Sequence, residues 1–227
     1  MMKETDKAKK TRAQILQAAL ELFYENGFEK TTLRDVAKKS GMALGATYYY
    51  FHSKEEMVFE FYAQTHEEAL VRNALIVSES TKFQKRLKAL IDFKFEQLMP
   101  YRPFIGALAR FAANPSHPLS PFSQPSKPYR DQAIAMFEQI IEGSDIKIPS
   151  PIKHSLPTLL WAYQMALTLF WINDSSAGQE HTKSLADFSQ KLITKWLTLS
   201  RLPLLHPFLS SVDTLVRMIQ DPGSPPR

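Results

Sequence analysis

Residues 41–57, GMALGATYYYFHSKEEM, set three tyrosines and a phenylalanine side by side and then stop on polar residues. A helix turns by about 100° per residue, so Tyr48, Tyr49, Tyr50 and Phe51 cannot all face one core. Some of these rings must point outward. The neighbouring residues say which. Upstream, TTLRDVAKKSG opens with Thr32 and has Asp35 three residues on, the spacing of a capping box, with Leu33, Val36 and Ala37 on an inner face. Gly41 suits the turn that follows because it tolerates positive φ. A short second helix then fits Leu44 to Tyr50. In it Thr47 and Phe51, four apart, face inward against Val36 and the preceding helix. Leu44, Gly45, Ala46, Tyr48, Tyr49 and Tyr50 are left on or near the outer face. Ser53 with Glu56 gives a further capping signal, and a long helix follows from Lys54 to about Val77.

Two helices joined by a tight, glycine-containing turn make a helix-turn-helix, whose second helix can enter the DNA major groove. Outward tyrosines offer phenolic donors to phosphate oxygens, and small residues let a helix approach base edges. Charge agrees. Residues 1–54 hold ten Lys or Arg against six acidic groups, most of the formal net charge of +5. A positive charge gathered in one quarter of the chain points to a polyanionic partner at that end.

The rest of the chain also reads as helices. TRAQILQAALELFYENGF carries Ile15, Ala19 and Leu22 with Leu16, Leu20 and Phe23 at spacings of three and four, and Gly27 stands where the helix must stop. FQKRLKALIDFKFEQLM is halted at Pro100. From there to Pro128 lie seven of the fifteen prolines, so only RPFIGALARFAAN, between Pro103 and Pro115, keeps room for three turns. Further helices fit about 129–142, 152–173, 181–200 and 206–220. Residues 114–128 read as a Pro-rich loop and 221–227 as a frayed tail. No alternating strand pattern and no internal repeat is present, which makes the fold all-α.

Other classes find little support. The chain has no cysteine, which removes disulfides and thiolate metal sites and agrees with a reducing cytoplasm. Its seven glycines are scattered, with no phosphate-cradling loop, and its six histidines show no pair at metal-ligand spacing. No enzyme, cofactor or metal is expected. Between Lys153 and Asp174 lie 20 uncharged residues. His154, Ser155, Pro157, Gln164 and Asn173 interrupt them, so a buried or interface helix is the better reading than a membrane span.

The stretch from Thr11 to about Val58 resembles the tetracycline-repressor-like (TetR-like) regulators of bacteria. The resemblance lies in an ordered set: a first helix ending in Asn-Gly-Phe, then Thr-Thr, Ala-Lys-Lys-Ser-Gly and Tyr-x-Tyr-Phe-x-Ser-Lys-Glu. It implies that Thr32 binds phosphate, that Arg34 reaches a base edge, and that Leu44 and Ala46 sit where bases are read. Beside them Ala43 and Gly45 complete the DNA-contacting set, Tyr48, Tyr49 and Tyr50 contact phosphates or sugars, and Lys54 binds phosphate at a helix N-terminus. Two positions depart from the pattern. Ala43 stands where Ser or Thr is usual, leaving the second helix without its side-chain cap, and Thr47 replaces a bulkier apolar residue. The resemblance further implies a DNA-binding domain at 1–55, and a ligand-binding and dimerisation domain at 56–227.

That second part shows no motif of its own, but it is dense in large apolar side chains. A hydrophobic or amphipathic small molecule is expected among Phe95, Phe104, Phe111, Trp161 and Met165, with Gln164 as polar anchor. A homodimer is expected through Leu156, Leu160, Tyr163, Leu167 and Phe170 of one helix and Leu185, Phe188, Leu192 and Trp196 of the next. The function expected is a regulator of transcription on a near-palindromic operator, a repressor released by its ligand. The alternative is a constitutive regulator with no ligand.

Overall fold

The computed structural model describes residues 5–220, apart from 203 and 205. The tail expected at 221–227 lies outside the described residues. Among those described, the chain is helical with no strand: α1 (Asp6–Asn26), α2 (Leu33–Ser40), α3 (Leu44–Tyr50), α4 (Lys54–Glu79), α5 (Phe83–Leu98), α6 (Arg102–Ala109), α7 (Lys127–Ile141), α8 (Leu156–Asn173), α9 (Glu180–Leu199) and α10 (His206–Gln220). The first helix begins five residues earlier than the apolar stripe alone predicts. Thr5 caps it by accepting from the Ala8 amide at 3.3 Å, so Lys7, Lys9 and Lys10 form its solvated first turns.

Contacts divide the chain into two compact units, and the division does not follow chain order. One unit comprises Met1–Glu67 with Gln97–Arg130, the other Glu68–Glu96 with Asp131–Arg227. Both α4 and α7 therefore contribute to each. In the first unit Ile15, Leu16, Ala19 and Phe23 of α1 meet Val36 of α2, Phe51, and Met57, Val58 and Phe61 of α4. The helix expected to belong to the second part, α6, lies in this same core: Phe104 stacks on Phe23 with centroids 5.5 Å apart and meets Phe61 edge-on. Its apolar face finds a ready aromatic partner there, which a reading by chain order missed.

The Pro-rich segment is a chain of turns. Carbonyls of Asn114, His117 and Ser120 accept from the amides of His117, Ser120 and Ser123 in succession, with Pro115, Pro118 and Pro121 just after each accepting residue. Proline presets φ at that position, so the segment needs no helix to be ordered. Ser123 and Ser126 donate to the Pro118 carbonyl at 2.7 and 3.1 Å, and Leu119 is buried beneath them.

The second unit packs Ala69 and Ile76 of α4 with Leu87, Leu90 and Ile91 of α5, Met136, Phe137 and Ile140 of α7, and Leu156, Leu160, Trp161 and Leu167 of α8. Arg86, almost fully buried, donates to the carbonyls of Val77 and Ser80 at the end of α4 and of Ile140 and Glu142 at the end of α7. One guanidinium thus satisfies carbonyls that two helix ends leave without intrahelical partners. The α8–α9 turn is built around Asp174, whose carboxylate accepts from the amides and hydroxyls of Ser176 and Thr182. Those hydrogen bonds hold its carboxyl far below the usual range. No helix of the described residues is long and apolar enough to cross a membrane.

Candidate nucleic-acid interface

The expected helix-turn-helix is α2, the turn at residues 41–43, and α3. Its start is fixed by a complete capping box: the Asp35 amide donates to the Thr32 hydroxyl at 3.2 Å, and the Thr32 amide donates to the Asp35 carboxylate at 2.9 Å. These bonds pull the Asp35 carboxyl below its ordinary range, hydrogen bonding from Thr32 being the leading cause. Gly41 takes the left-handed conformation, φ 69° and ψ 17°, that turns the chain. Gly27 has φ 83° but ψ 154°, an extended conformation open to glycine rather than the left-handed one expected.

Thr47 in α3 and Phe51 just past its end are fully buried, and the outward face is then a matter of helical geometry. Tyr49 is 77% exposed and Tyr48 49%, while Tyr50 is half-buried and meets Tyr49 edge-on at 5.2 Å. Leu44 and Ala46 are partly exposed and Gly45 is open, with nothing within 4 Å of where a Cβ would sit. Thr32 and Arg34 are exposed on the first turn of α2. Ala43 makes no side-chain cap, so α3 starts without the hydrogen bond that a Ser or Thr supplies.

Lys54 has partners of its own within the head. Its ammonium donates to the carbonyls of Phe28 and Glu29 at 2.7 and 3.2 Å and lies 4.6 Å over the Phe28 ring. Those carbonyls lie in the α1–α2 connection. The side chain ties the start of α4 to that connection, beside a helix N-terminus that itself favours an anion.

Three polar ties that position this face were missed from sequence. Gln14 donates to the Ser40 carbonyl at 2.8 Å, closing the C-terminal end of α2 onto α1. Lys39 pairs with Glu25 at 2.7 Å and Glu21 at 3.3 Å, and its ammonium pKa is raised chiefly by the hydrogen bond to Glu25. Arg12 donates to the Tyr50 carbonyl at 3.1 Å and to Glu60 at 2.7 Å. The signal for Arg12 was present: it stands three and four residues before Ile15 and Leu16, in line with the buried stripe of α1.

Of the six residues expected around a ligand, two belong to the first unit and four to the second. Phe104 and Phe111 are core of the first unit, Phe111 meeting Phe28 edge-on at 5.8 Å and stacking on His117 at 3.8 Å. Phe95 packs against Trp171 in the second unit, whose core also holds Trp161 and Met165, while Gln164 is half-buried on α8. The dimer set is corrected in part. Leu156, Leu160 and Leu167 are buried inside their own chain, because α8 turns that stripe to α5 and α7 core residues. Tyr163 is half-buried, its hydroxyl 2.7 Å from Ser189 Oγ, and Trp196 packs on the same core. The outward apolar residues are Phe170, Leu185, Phe188 and Leu192 from the expected set, joined by Leu169 and Leu199. Among the described residues no group of three His, Asp or Glu could hold a metal ion.

A capped helix, a left-handed glycine turn and a short helix with a buried Thr47–Phe51 edge and an outward tyrosine face define a helix-turn-helix regulator of transcription. Residues 15–61 match the tetR family of bacterial regulatory proteins, and residues 86–215, more than half of the chain, match the tetracyclin repressor-like C-terminal domain. The chain belongs to the tetR family. It is 42% identical over 62 residues to the HTH-type transcriptional regulator TtgR of Pseudomonas putida, covering 27% of this chain and 30% of that protein. It is 34% identical over 87 residues to the HTH-type transcriptional repressor KstR2 of Mycobacterium tuberculosis, covering 38% of this chain and 44% of the other. The matches thus span less than half of these relatives. Over most of its length the fold is similar to that of the transcriptional regulator FadR from Bacillus subtilis, solved in complex with stearoyl-CoA. The TM-score is 0.65 with 19% identity, over 80% of this chain and 97% of that one.

Proposed function

We propose that this protein is a homodimeric, sequence-specific DNA-binding regulator, a repressor whose release from its operator is driven by a small hydrophobic or amphipathic ligand. The observation that carries the DNA reading is the outward face of α3, where Tyr48 and Tyr49 are exposed beside the small residues Gly45 and Ala46. In this reading Leu44 and Ala46 touch base edges, favouring a thymine methyl, and the tyrosines and Thr32 hold phosphates. Arg34 reaches guanine O6 and N7.

The dimer reading rests on the exposed stripe Leu185, Phe188, Leu192 and Leu199 on α9, beside Leu169 and Phe170 on α8. Such a face in water is unfavourable unless a second copy covers it. Two-fold symmetry then sets two α3 helices roughly 34 Å apart, one turn of DNA. Ligand control acts by shifting the balance between two separations of the heads, and a ligand shifts it only by its differential affinity for the two states. The stearoyl-CoA held by the FadR neighbour makes acyl esters the first compounds to test. The constitutive alternative is favoured by one observation: Phe104 and Phe111, expected around a ligand, are packed as buried core within the first unit.

The test is selection of bound sequences from a random duplex pool by the purified protein at stated salt. A near-palindrome with half-sites one turn apart is the expected result; salt-sensitive binding without enrichment would sink the reading. Thermal-shift screening against acyl esters, fatty acids, aromatic acids and cationic drugs then separates the two modes. A binder that also weakens operator affinity supports release. No binder in any class favours the constitutive regulator.

A further inference from the structure

The helix read as the DNA-reading element is short and lacks a side-chain cap at its N-terminal end. A seven-residue helix is not stable by itself, so tertiary contacts must set its direction. Two fully buried side chains, Thr47 and Phe51, hold one edge against the core, with Tyr50 packed on it only in part. The C-terminal end is where a third tie is found. The Tyr50 carbonyl, one of those a helix end leaves unpaired, accepts from Arg12 at 3.1 Å. The same guanidinium donates to Glu60 on α4 at 2.7 Å and lies 4.5 Å over the Phe51 ring. Glu60 is itself held, its second oxygen accepting from Gln64 at 3.1 Å. Its charge also reaches Tyr129 at the start of α7, whose phenol is pushed up by burial and by Glu60. Tyr129 in turn stacks on Phe59 of α4 at 5.6 Å.

We propose that Arg12 and Glu60 are positioning residues for DNA reading: the Arg12 guanidinium joins the end of α3 to α4 and sets the angle at which α3 is presented. The proposal rests on α3 being the reading helix. The planar fork of arginine is what the joint requires, because it serves a carbonyl and a carboxylate in fixed directions at once. A lysine keeps the charge but reaches one acceptor at a time. A cation at the C-terminal end of α3 also suits the helix dipole. Movement of α4 at Glu60 therefore moves α3.

Arg12→Lys and Glu60→Gln test this, each conservative in size. Affinities of the full-length protein and both variants are measured by titration, over a range of salt, on the sequence selected by the wild type and on a random duplex of equal length. Hydrogen exchange of the amides across α2 and α3 is followed in the absence of DNA. The expected result is a loss of about tenfold or more on the selected sequence in both variants. Random-duplex affinity and salt slope stay unchanged, and exchange quickens in α3 but not in α2. Unchanged operator affinity in either variant overturns the proposal. So does an equal loss on both duplexes, which would make Arg12 a plain phosphate-binding charge. A variant that unfolds shows quickened exchange in α1 and α2 as well, and that too counts against a joint local to α3. Should the wild type enrich no sequence, it is the reading role of α3 that fails, while the exchange pattern still decides whether the joint holds it.

Discussion

Arg86 shows how much one side chain can hold. Its guanidinium is almost fully buried and serves carbonyls at the ends of α4 and α7. Replacement by Met keeps the stem and removes every donor, leaving several carbonyls poorly satisfied. Arg86→Met is expected to lower stability by about 3 kcal/mol, read from urea unfolding, since each buried unpaired group costs roughly 1–3 kcal/mol. Lys94 shows what burial does to a charge. Burial pushes its ammonium down to about 8, with Glu68 partly opposing the shift. Below that value folded and unfolded chains both hold the proton. Between it and the ordinary lysine range the unfolded chain holds more, so the Lys94 contribution to stability rises with pH. Unfolding measured at pH 7.5 and 9.5 is expected to show a gain on the order of 2 kcal/mol in the wild type that Lys94→Met lacks. Equal pH dependence in both proteins would refute it. At the proposed DNA face, Arg34→Ala is expected to relax preference at one base pair at about 1–3 kcal/mol, with random DNA unaffected. Selection repeated with the variant reads this directly.

At the scale of elements, local chemistry was legible wherever a side chain acts on its own backbone. Thr32 and Asp35 announce the start of α2, Gly41 its end, and the spacing of Thr47 and Phe51 the inward edge of α3. The missing cap at Ala43 was equally plain, and it makes a prediction. Ala43 has the extended backbone of an N-cap, φ −64° and ψ 145°, so a hydroxyl there is placed to accept from the first turn. Ala43→Ser is expected to stabilise the protein by about 1 kcal/mol, a rise of about 3 °C in Tm by calorimetry. What sequence could not show is which of two apolar faces a helix buries when both are apolar. α8 is apolar nearly all round, and the stripe Leu156, Leu160 and Leu167, assigned outward, is the buried one. The partners of Lys54 and Arg12 are hidden for a related reason: those carbonyls and that carboxylate lie 25 to 48 residues away in sequence, so a helical stripe can place the side chain but not name what it meets.

At the scale of the whole molecule, chain order was a poor guide to what packs with what, because α6 and the proline turns join the core that carries α3. The head is consequently larger than the helix-turn-helix itself. The remaining outward apolar surface on α8 and α9 gives the prediction that tests assembly. Phe188 is 64% exposed and Leu192 49%, one helical turn apart, whereas Leu160 is buried in its own chain. Leu192→Glu places a charge in the middle of that stripe and disturbs nothing inside the subunit, so it is expected to give a folded monomer by sedimentation, with unchanged Tm at low concentration. Its operator affinity is expected to fall to that of a single half-site, since two heads no longer bind as one. Leu160→Ala, in contrast, is expected to cost about 3 kcal/mol of folding stability while the species that remains folded is still dimeric. The contrast separates the face proposed for the dimer from the face that builds the fold. If Leu192→Glu sediments as a dimer, the α8–α9 stripe is not the interface, and the spacing argument for a two-fold operator loses its structural basis.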